Sequence, residues 1–333
     1  MEDRFDARLR AIPPAALHAL LRRLAGIESF RGWWDGTQKP PDQVLRRIRE
    51  DVTAASSAAS ARIAGGGPAA AEAGYAEALR TVFEGHAAMA PGERQVLALH
   101  ASVFRGVASA RHPAGRYKTA AAPAGIERRW VTEPVALRPP GPLLVPAQMQ
   151  ALTAWLASRI GGPEFHPLLV AAAYLLEFLA IRPFAEGNGR VSRLVTNLLL
   201  LREGHAYIPY GSLEGAIAAR WEEYYLALRR SQASRNLPRP DISPWLLAFL
   251  DAVAAQQREV RDALRRLPHE RRLSGNQLAV LAIAARDGEV TNRRVVSDLS
   301  LPRETAKQTL GRLVALGALR RLGAGRATRY RLP

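Results

Sequence analysis

The chain has 333 residues, 48% apolar and 23% charged, which suits a globular protein of two or three domains and argues against disorder. It contains no cysteine, so disulfides, thiolate zinc sites, iron–sulfur clusters and cysteine nucleophiles are excluded. Lys+Arg 47 against Asp+Glu 30 gives a net charge of +17, which points to a polyanionic partner.

Met1–Arg10 is charged and no apolar core follows it, so no secretory signal is read and a cytoplasmic location is expected. From about residue 6 to 64 the pattern is helical, with Leu17, Leu20, Leu21 and Leu24 at helical spacing. Residues 64–71 hold three consecutive glycines and form a break, after which helices are read over 72–85 and 92–105. Residues 114–142 change character, with prolines, glycines and strand-like pieces at 116–119 and 128–132, so an extended hairpin or flap is expected. Helices are read next at 148–160, 167–181, 189–202 and 213–231. The most apolar stretch, 168–181, is short and carries Glu177, so it reads as a buried helix and no membrane association is expected. Three prolines within 236–244 end this body, and a long helix over 244–267 runs into a basic linker at 267–274.

The most informative segment is 181–193, which reads I-R-P-F-A-E-G-N-G-R-V-S-R. Apolar helical stripes precede it (Leu168, Ala172, Leu175, Leu179) and follow it (Val191, Leu194, Val195, Leu198, Leu199), giving helix, tight loop, helix. Arg190, Arg193 and Asn197 recur at helical spacing on one side of the second helix. Gly187, Asn188 and Gly189 can present backbone N–H groups where that helix begins, which makes an anion site. Arginines add charge-assisted bonds, and Glu186 can hold a divalent cation beside the anion. The alternative is a Gly-Asn-Gly turn flanked by solvated arginines.

Here the chain resembles the Fic (Fido) family, whose signature is H-P-F-x-D/E-G-N-G-R-x-x-R; every position from Pro183 to Arg193 matches. The resemblance extends over roughly residues 12–267, with Gly115–Thr119 like the family's target-binding flap. Pro209, Tyr210, Leu213 and Glu214, then the run from Glu223 to Leu228, look like the region beside the adenine. The resemblance implies a mainly α-helical Fic core with a β-hairpin flap. It also implies transfer of AMP from ATP to a hydroxyl side chain of a protein target. Glu186 would bind Mg²⁺, while Gly187, Asn188, Gly189, Arg190 and Arg193 would hold phosphates. Phe184, Tyr224 and Tyr225 would complete the nucleotide site, and Tyr117, Lys118 and Thr119 would meet the target.

Two positions depart from the family pattern. Arg182 stands where the family has its histidine base, and a guanidinium offers donors only. It can add charge to a phosphate site but cannot take the proton, so no catalytic residue is assigned. Many members also carry an inhibitory S/T-x-x-x-E-G/N helix whose glutamate pairs with the last arginine of the motif. Residues 60–65 read S-A-R-I-A-G: Ser60 and Gly65 match, and Ala64 replaces the glutamate. The alternative is a helix end running into a linker. His100 and His166 read as core or capping residues, and His205 follows Gly204 past a helix C-terminus, where a cation is favoured anyway. Trp33 and Trp34 read as packing anchors or part of an interface.

More than half of the excess charge lies in residues 258–333, with 17 basic and 7 acidic residues. Helices are read there at 277–286, with Leu278, Leu281 and Ile283 inside, at 292–299 behind a Thr291 N-cap, and at 303–316. A hairpin at 318–322 and 328–332 follows. This order resembles a winged helix–turn–helix, which implies DNA contacts from Arg303, Thr305, Lys307, Gln308 and Arg312 on the recognition helix. Arg326 and Arg329 flank the wing tip, placed for phosphates. Protein docking is the alternative use of that fold.

The expected organisation is an N-terminal helical region (1–90), a Fic core (91–235), a connecting helix and linker (236–272) and the winged helix (273–333). The expected function is a DNA-binding regulator, a homodimer, whose degenerate Fic domain binds ATP or a related nucleotide with Mg²⁺ without efficient transfer. The competing class is a protein adenylyltransferase with an altered catalytic site.

Overall fold

The computed structural model describes residues 4–66, 68–107, 113–120, 139–235, 237–266, 273–325 and 328–333. The chain divides into two compact units, Met1–Gly36 with Asp51–Val260, and Thr37–Glu50 with Arg261–Pro333.

The first unit is built around two helices, α7 (Pro167–Ile181) and α8 (Asn188–Arg202), with twelve and thirteen of their fifteen residues buried. The helix α7 is apolar almost all round and has no solvent face to offer, while α8 buries a polar side with Arg190, Arg193 and Asn197, so the two take the centre of the unit. Pro167 opens α7 at a position that needs no N–H bond, and the His166 side chain accepts from Leu168 N at 3.3 Å. Glu177 lies inside α7, with Arg8 Nη1 at 2.5 Å and Arg235 Nη2 at 3.2 Å from its two oxygens. Such a buried carboxylate is tolerable only with partners of this kind.

Around this pair stand α1 (Arg4–Arg10), α2 (Pro14–Gly36), α4 (Ala69–Gly85), α5 (Glu93–Phe104) and α6 (Val145–Arg159). The helices α9 (Leu213–Ala219) and α10 (Trp221–Ser234) join them, with the later part of α3 (Asp42–Ile63) and the earlier part of α11 (Ser243–Arg266). Three sequence expectations are corrected. The buried face of α2 is Leu20, Leu24, Ile27, Phe30 and Trp34, whereas Leu17 and Leu21 are exposed. The helix read over 213–231 breaks at Arg220, whose φ of −127° and ψ of 38° leave the helical region. The apolar period continues through that break and could not reveal it. The strand read at 116–119 is irregular backbone, held by one bond from Lys118 N to Pro183 O at 2.9 Å. The piece at 128–132 lies outside the described residues.

In the second unit, α12 (Gly275–Asp287) begins with a capping box between Ser274 and Gln277. The Thr291 hydroxyl caps α13 (Asn292–Leu299), and Ser300, at φ 52°, turns the chain into α14 (Arg303–Ala315). The strands β1 (Arg320–Leu322) and β2 (Arg329–Arg331) pair antiparallel in the register Arg320↔Arg331, Arg321↔Tyr330 and Leu322↔Arg329. Val290 and Tyr330 exchange backbone bonds of 2.8 and 2.9 Å, which ties the hairpin to the end of α12. The core is Val280, Ile283, Ala284, Val295, Ala306, Leu310, Leu313 and Leu319; Leu278 and Leu281, read as interior, are only partly buried. Gln38 donates to the Leu273 carbonyl within this unit. No helix among the described residues is long and apolar enough to cross a membrane.

One buried carboxylate sets a pH dependence. Asp6, 2% exposed, accepts from Trp155 Nε1 at 2.8 Å and from Arg159 Nε and Nη2 at 3.0 and 2.6 Å. The Arg159 hydrogen bonds hold its carboxyl below the ordinary range against the opposing effect of burial. A lowered folded-state value contributes stability above the unfolded carboxylate range, near pH 4, and loses it as pH falls through the folded value. Asp6→Asn is expected to destabilise by about 1–3 kcal/mol at pH 7. Thermal melts of both proteins should converge below about pH 4; a gap constant from pH 7 to 3 would refute this role.

Candidate functional site

Two left-handed residues frame the loop between α7 and α8. Arg182 ends α7 at φ 47°, and Gly187 precedes α8 at φ 79°. A Cβ on Gly187 would stand 2.2 Å from Phe104 Cε2, so both backbone and space demand glycine there. Asn188 closes the loop, accepting from Phe184 N at 2.9 Å and donating to Phe184 O at 2.8 Å. The carboxamide supplies an acceptor and a donor at once, whereas an ionised aspartate only accepts. Phe184 is fully buried and stacks on His100, ring centroids 3.9 Å apart. Gly115 N donates to His100 Nδ1 at 2.9 Å, and Nε2 faces the Glu186 carbonyl at 3.2 Å. The first nitrogen must therefore accept and the second donate. Burial pushes His100 down to about 4, so it stays neutral and structural.

Arg190 and Arg193 are 4% and 6% exposed, which rules out the solvated-arginine alternative. Arg190 donates to Gly66 O at 3.0 Å and lies 3.8 Å from Glu186 Oε1; burial lowers its pKa. Arg193 Nη2 donates to Ser60 Oγ at 2.7 Å and Ser60 O at 3.3 Å, while its Nε is buried without a hydrogen-bond partner. One turn further along α8, Asn197 Nδ2 donates to Glu214 Oε1 at 2.9 Å, and Tyr75 OH donates to the same oxygen at 2.6 Å. Burial and the Glu214 charge push Tyr75 well up, so its hydroxyl remains a donor. This net joins α4, α8 and α9 behind the arginine. The end of α3 stands in front of it, with Ile63 buried and Ala64 and Gly65 exposed.

These elements enclose a cleft of about 1150 Å³, open mouth included. One wall is the loop, the start of α8 with Arg190 and Arg193, and the end of α3. The first α8 bond runs from Val191 N to Gly187 O, so the earlier N–H groups have no helical acceptor and suit an anion. The opposite wall is α10, which presents Trp221, Tyr224, Tyr225, Leu228, Arg229 and Gln232. Trp221 and Tyr225 stack at 5.6 Å, giving an apolar, aromatic face that a nucleobase fits. Glu186 is half-exposed at the rim, and no group of three or more His, Cys, Asp or Glu able to hold a metal exists among the described residues. A single carboxylate beside an anion cradle suits Mg²⁺, which keeps several waters and leans on ligand phosphates.

Arg182 is half-buried in the cleft wall, and its Nε is buried without a hydrogen-bond partner. Burial lowers its pKa, with Arg229 adding to the effect. Of the flap residues, Tyr117 is anchored through a 2.9 Å bond from its hydroxyl to Glu93 Oε1, and Lys118 is buried with Nζ 3.2 Å from Ile181 O. Burial and the neighbouring Arg182 bring Lys118 down to about 8. Only Thr119 of the three is exposed. His205 is buried and pushed down to about 3, away from the cleft beside Glu28 and Tyr207.

In the second unit Arg303, Lys307, Gln308 and Arg312 are exposed along one side of α14, while Thr305 is half-buried and its carbonyl accepts from Thr309 Oγ1 at 2.7 Å. Lys307 has Glu304 at 3.7 Å, and Arg329 is paired with Glu289 at 2.7 Å. Arg326 lies outside the described residues. Sequence reasoning placed the run from Glu223 to Leu228 near the base but missed Trp221, Arg229 and Gln232 on the same wall. The spacing of Tyr225, Arg229 and Gln232 on one helix face was the signal that could have found it.

Comparison with known proteins agrees with this geometry. Residues 91–200 match the Fic/DOC family. A protein adenylyltransferase Fic of Nematostella vectensis is 36% identical over 105 residues, 31% of this chain and 22% of that protein. One of Drosophila willistoni is 42% identical over 67 residues, 20% of this chain and 13% of that one. The chain thus matches less than a quarter of the length of these curated relatives. Among solved structures, a Fic family protein from Desulfovibrio desulfuricans superimposes with a TM-score of 0.58 at 23% identity, covering 97% of both chains. A Fic domain containing signaling protein from Bacteroides thetaiotaomicron gives 0.56 at 16% identity, over 72% of this chain and 96% of that one. The chain therefore has the Fic fold, and its residues 91–200 carry the match to the Fic/DOC family.

Proposed function

We propose that this chain is a DNA-binding regulator whose Fic domain binds a nucleotide and transfers AMP poorly or not at all. The observation that carries this reading is Arg182 at the family's base position beside an otherwise matching loop. In this reading the N–H groups at the start of α8, with Arg190 and Arg193, hold the phosphates, and Trp221, Tyr224 and Tyr225 face the base. Phe184 and Asn188 keep the loop in shape. The relatives' adenylyltransferase names favour ATP as the nucleotide. Glu186 would hold Mg²⁺, which when bound neutralises phosphate charge. A guanidinium keeps its proton at any working pH, so no group at 182 can activate a target hydroxyl. Losing such a base costs about 10²–10⁴-fold.

The second reading, a working adenylyltransferase that meets its protein target at the exposed Thr119, is favoured by Arg193. That side chain faces Ser60, and no carboxylate stands at residue 64 to engage it. A site unable to perform transfer has no need of an inhibitory glutamate, which keeps the regulator reading in front.

The second unit supports the DNA arm through its order of helix, helix, turn, helix and hairpin, which is that of a winged helix–turn–helix. In this reading α14 enters the major groove with Arg303, Lys307, Gln308 and Arg312 outward. The protein acts as a homodimer on two related half-sites. A protein partner on the same face is the competing outcome.

Two experiments test the nucleotide arm. Millimolar Mg-ATP is expected to raise the melting temperature of the full chain, because a ligand bound only to the native state stabilises it. Arg193→Glu should abolish that shift, and no shift with any nucleotide would reduce the domain to a scaffold. Arg182→His should create transfer of labelled AMP that the wild type lacks; robust labelling by the wild type would favour the enzyme instead.

The DNA arm is tested by fluorescence anisotropy on genomic fragments, including the DNA upstream of the protein's own gene. Arg303→Ala should weaken specific and random DNA alike and shallow the salt dependence. Gln308→Ala should narrow the gap between them by about 1–3 kcal/mol. If no fragment is preferred over random DNA, the unit is a protein-docking module.

A further inference from the structure

The cleft carries polar groups on both walls, and only one wall is explained by the loop and the start of α8. On the other, Tyr225, Arg229 and Gln232 recur at helical spacing along α10, and all three line the cleft. Gln232 is 4% exposed overall and lines the cleft. A carboxamide there offers a donor and an acceptor to a ligand in the cleft. Arg182 faces the same place: its Nε is buried and unpartnered, and its side chain has no ion pair among the described residues. Its charged neighbours are Arg229 on α10 and the buried Lys118 beneath it. Like charges gathered in a partly desolvated wall repel one another, and an anion among them removes that repulsion. The left-handed backbone at Arg182 is uncommon for a non-glycine residue, and it places this side chain in the cleft wall.

We propose that Arg182, Arg229 and Gln232 form a second anion subsite, which takes a further phosphate group of the nucleotide bound by the loop. The proposal rests on the nucleotide-binding reading of the same cleft and names its ligand class: a nucleotide with one phosphate on the α8 cradle and another at the α10 wall. Guanidinium groups hold phosphate by paired charge-assisted bonds, and the carboxamide N–H adds a third donor. That second phosphate comes either from an extended polyphosphate chain or from a phosphorylated ribose. Arg182 at the base position is then a specificity residue, exchanging proton transfer for recognition of charge.

Isothermal titration of the full chain with Mg²⁺ separates these sources. AMP, ADP and ATP form one series; AMP and adenosine 3′,5′-bisphosphate form the other. One added phosphate is expected to tighten Kd at least about tenfold, and the series showing this identifies the source. Arg182→Ala and Gln232→Leu should each bring the ratio within that series close to one, while Arg182→Lys retains part of it. Melting temperatures without ligand check that the variants fold. A ratio near one in the wild type for both series, or a ratio unchanged in both variants, overturns the second subsite. If nucleotides bind in this way, the nucleotide reading still stands. If the wild type binds none of them, both fall together.

Discussion

The cleft depends on a backbone constraint: two residues five apart, Arg182 and Gly187, must both take left-handed conformations so that one buried helix can turn directly into another. Each is held differently. Gly187 is fixed by exclusion, since Phe104 occupies the space a side chain would need. Arg182 is fixed by bracketing, because Lys118 bonds Ile181 O through Nζ and Pro183 O through its own N–H. Between them Asn188 returns two bonds to Phe184, whose ring is locked against His100. His100 meets the Glu186 carbonyl and Asn188 meets both backbone groups of Phe184, which stiffens a loop of such short reach from opposite sides.

Rigidity at this point orients charge. The start of α8 and its arginines are carried on an element buried almost throughout, so they move only if the core of the unit moves. Glu177 serves the same end farther down α7, where Arg8 and Arg235 bind α1 and the end of α10 to one carboxylate. Removing a single partner from such a triad leaves a buried charge, and so the three helices are held in one arrangement even where the net stabilisation is small. An anion entering the cleft meets donors already in position and loses little to reorganisation.

Much of this was legible in the sequence because the decisive features are local. The bounds of α7 and α13 follow from Pro167, Thr291 and the apolar period, and the tight loop between α7 and α8 from Gly-Asn-Gly at a helix start. What escaped were features set by tertiary contact. The stripe Leu17–Leu24 on α2 held both buried and exposed leucines, and period alone could not choose the face. The break at Arg220 costs no apolar residue its place in the pattern. Gln232 and Arg229 belong to no motif and join the cleft only because α10 is laid against the loop. The strand read at 116–119 failed because the anchors there are side-chain bonds such as Tyr117 to Glu93, which leave no strand period to read.

Net charge was the least discriminating of the sequence signals, and the pairing of the second unit explains why. Arg286 and Arg294 are engaged by Asp287 and Asp298, and Arg329 and Arg331 share Glu289. These pairs hold the ends of α12 and α13 and the hairpin together, and they are largely exposed, so each contributes little stability. Their effect is to cancel charge locally. The basic residues left without a carboxylate among the described ones include Arg303, Arg312, Arg320 and Arg321, on α14 and β1. A polyanion responds to the local potential and not to the total. The acidic residues therefore cancel arginines on α12, α13 and the hairpin, while Arg303 and Arg312 stay exposed on α14.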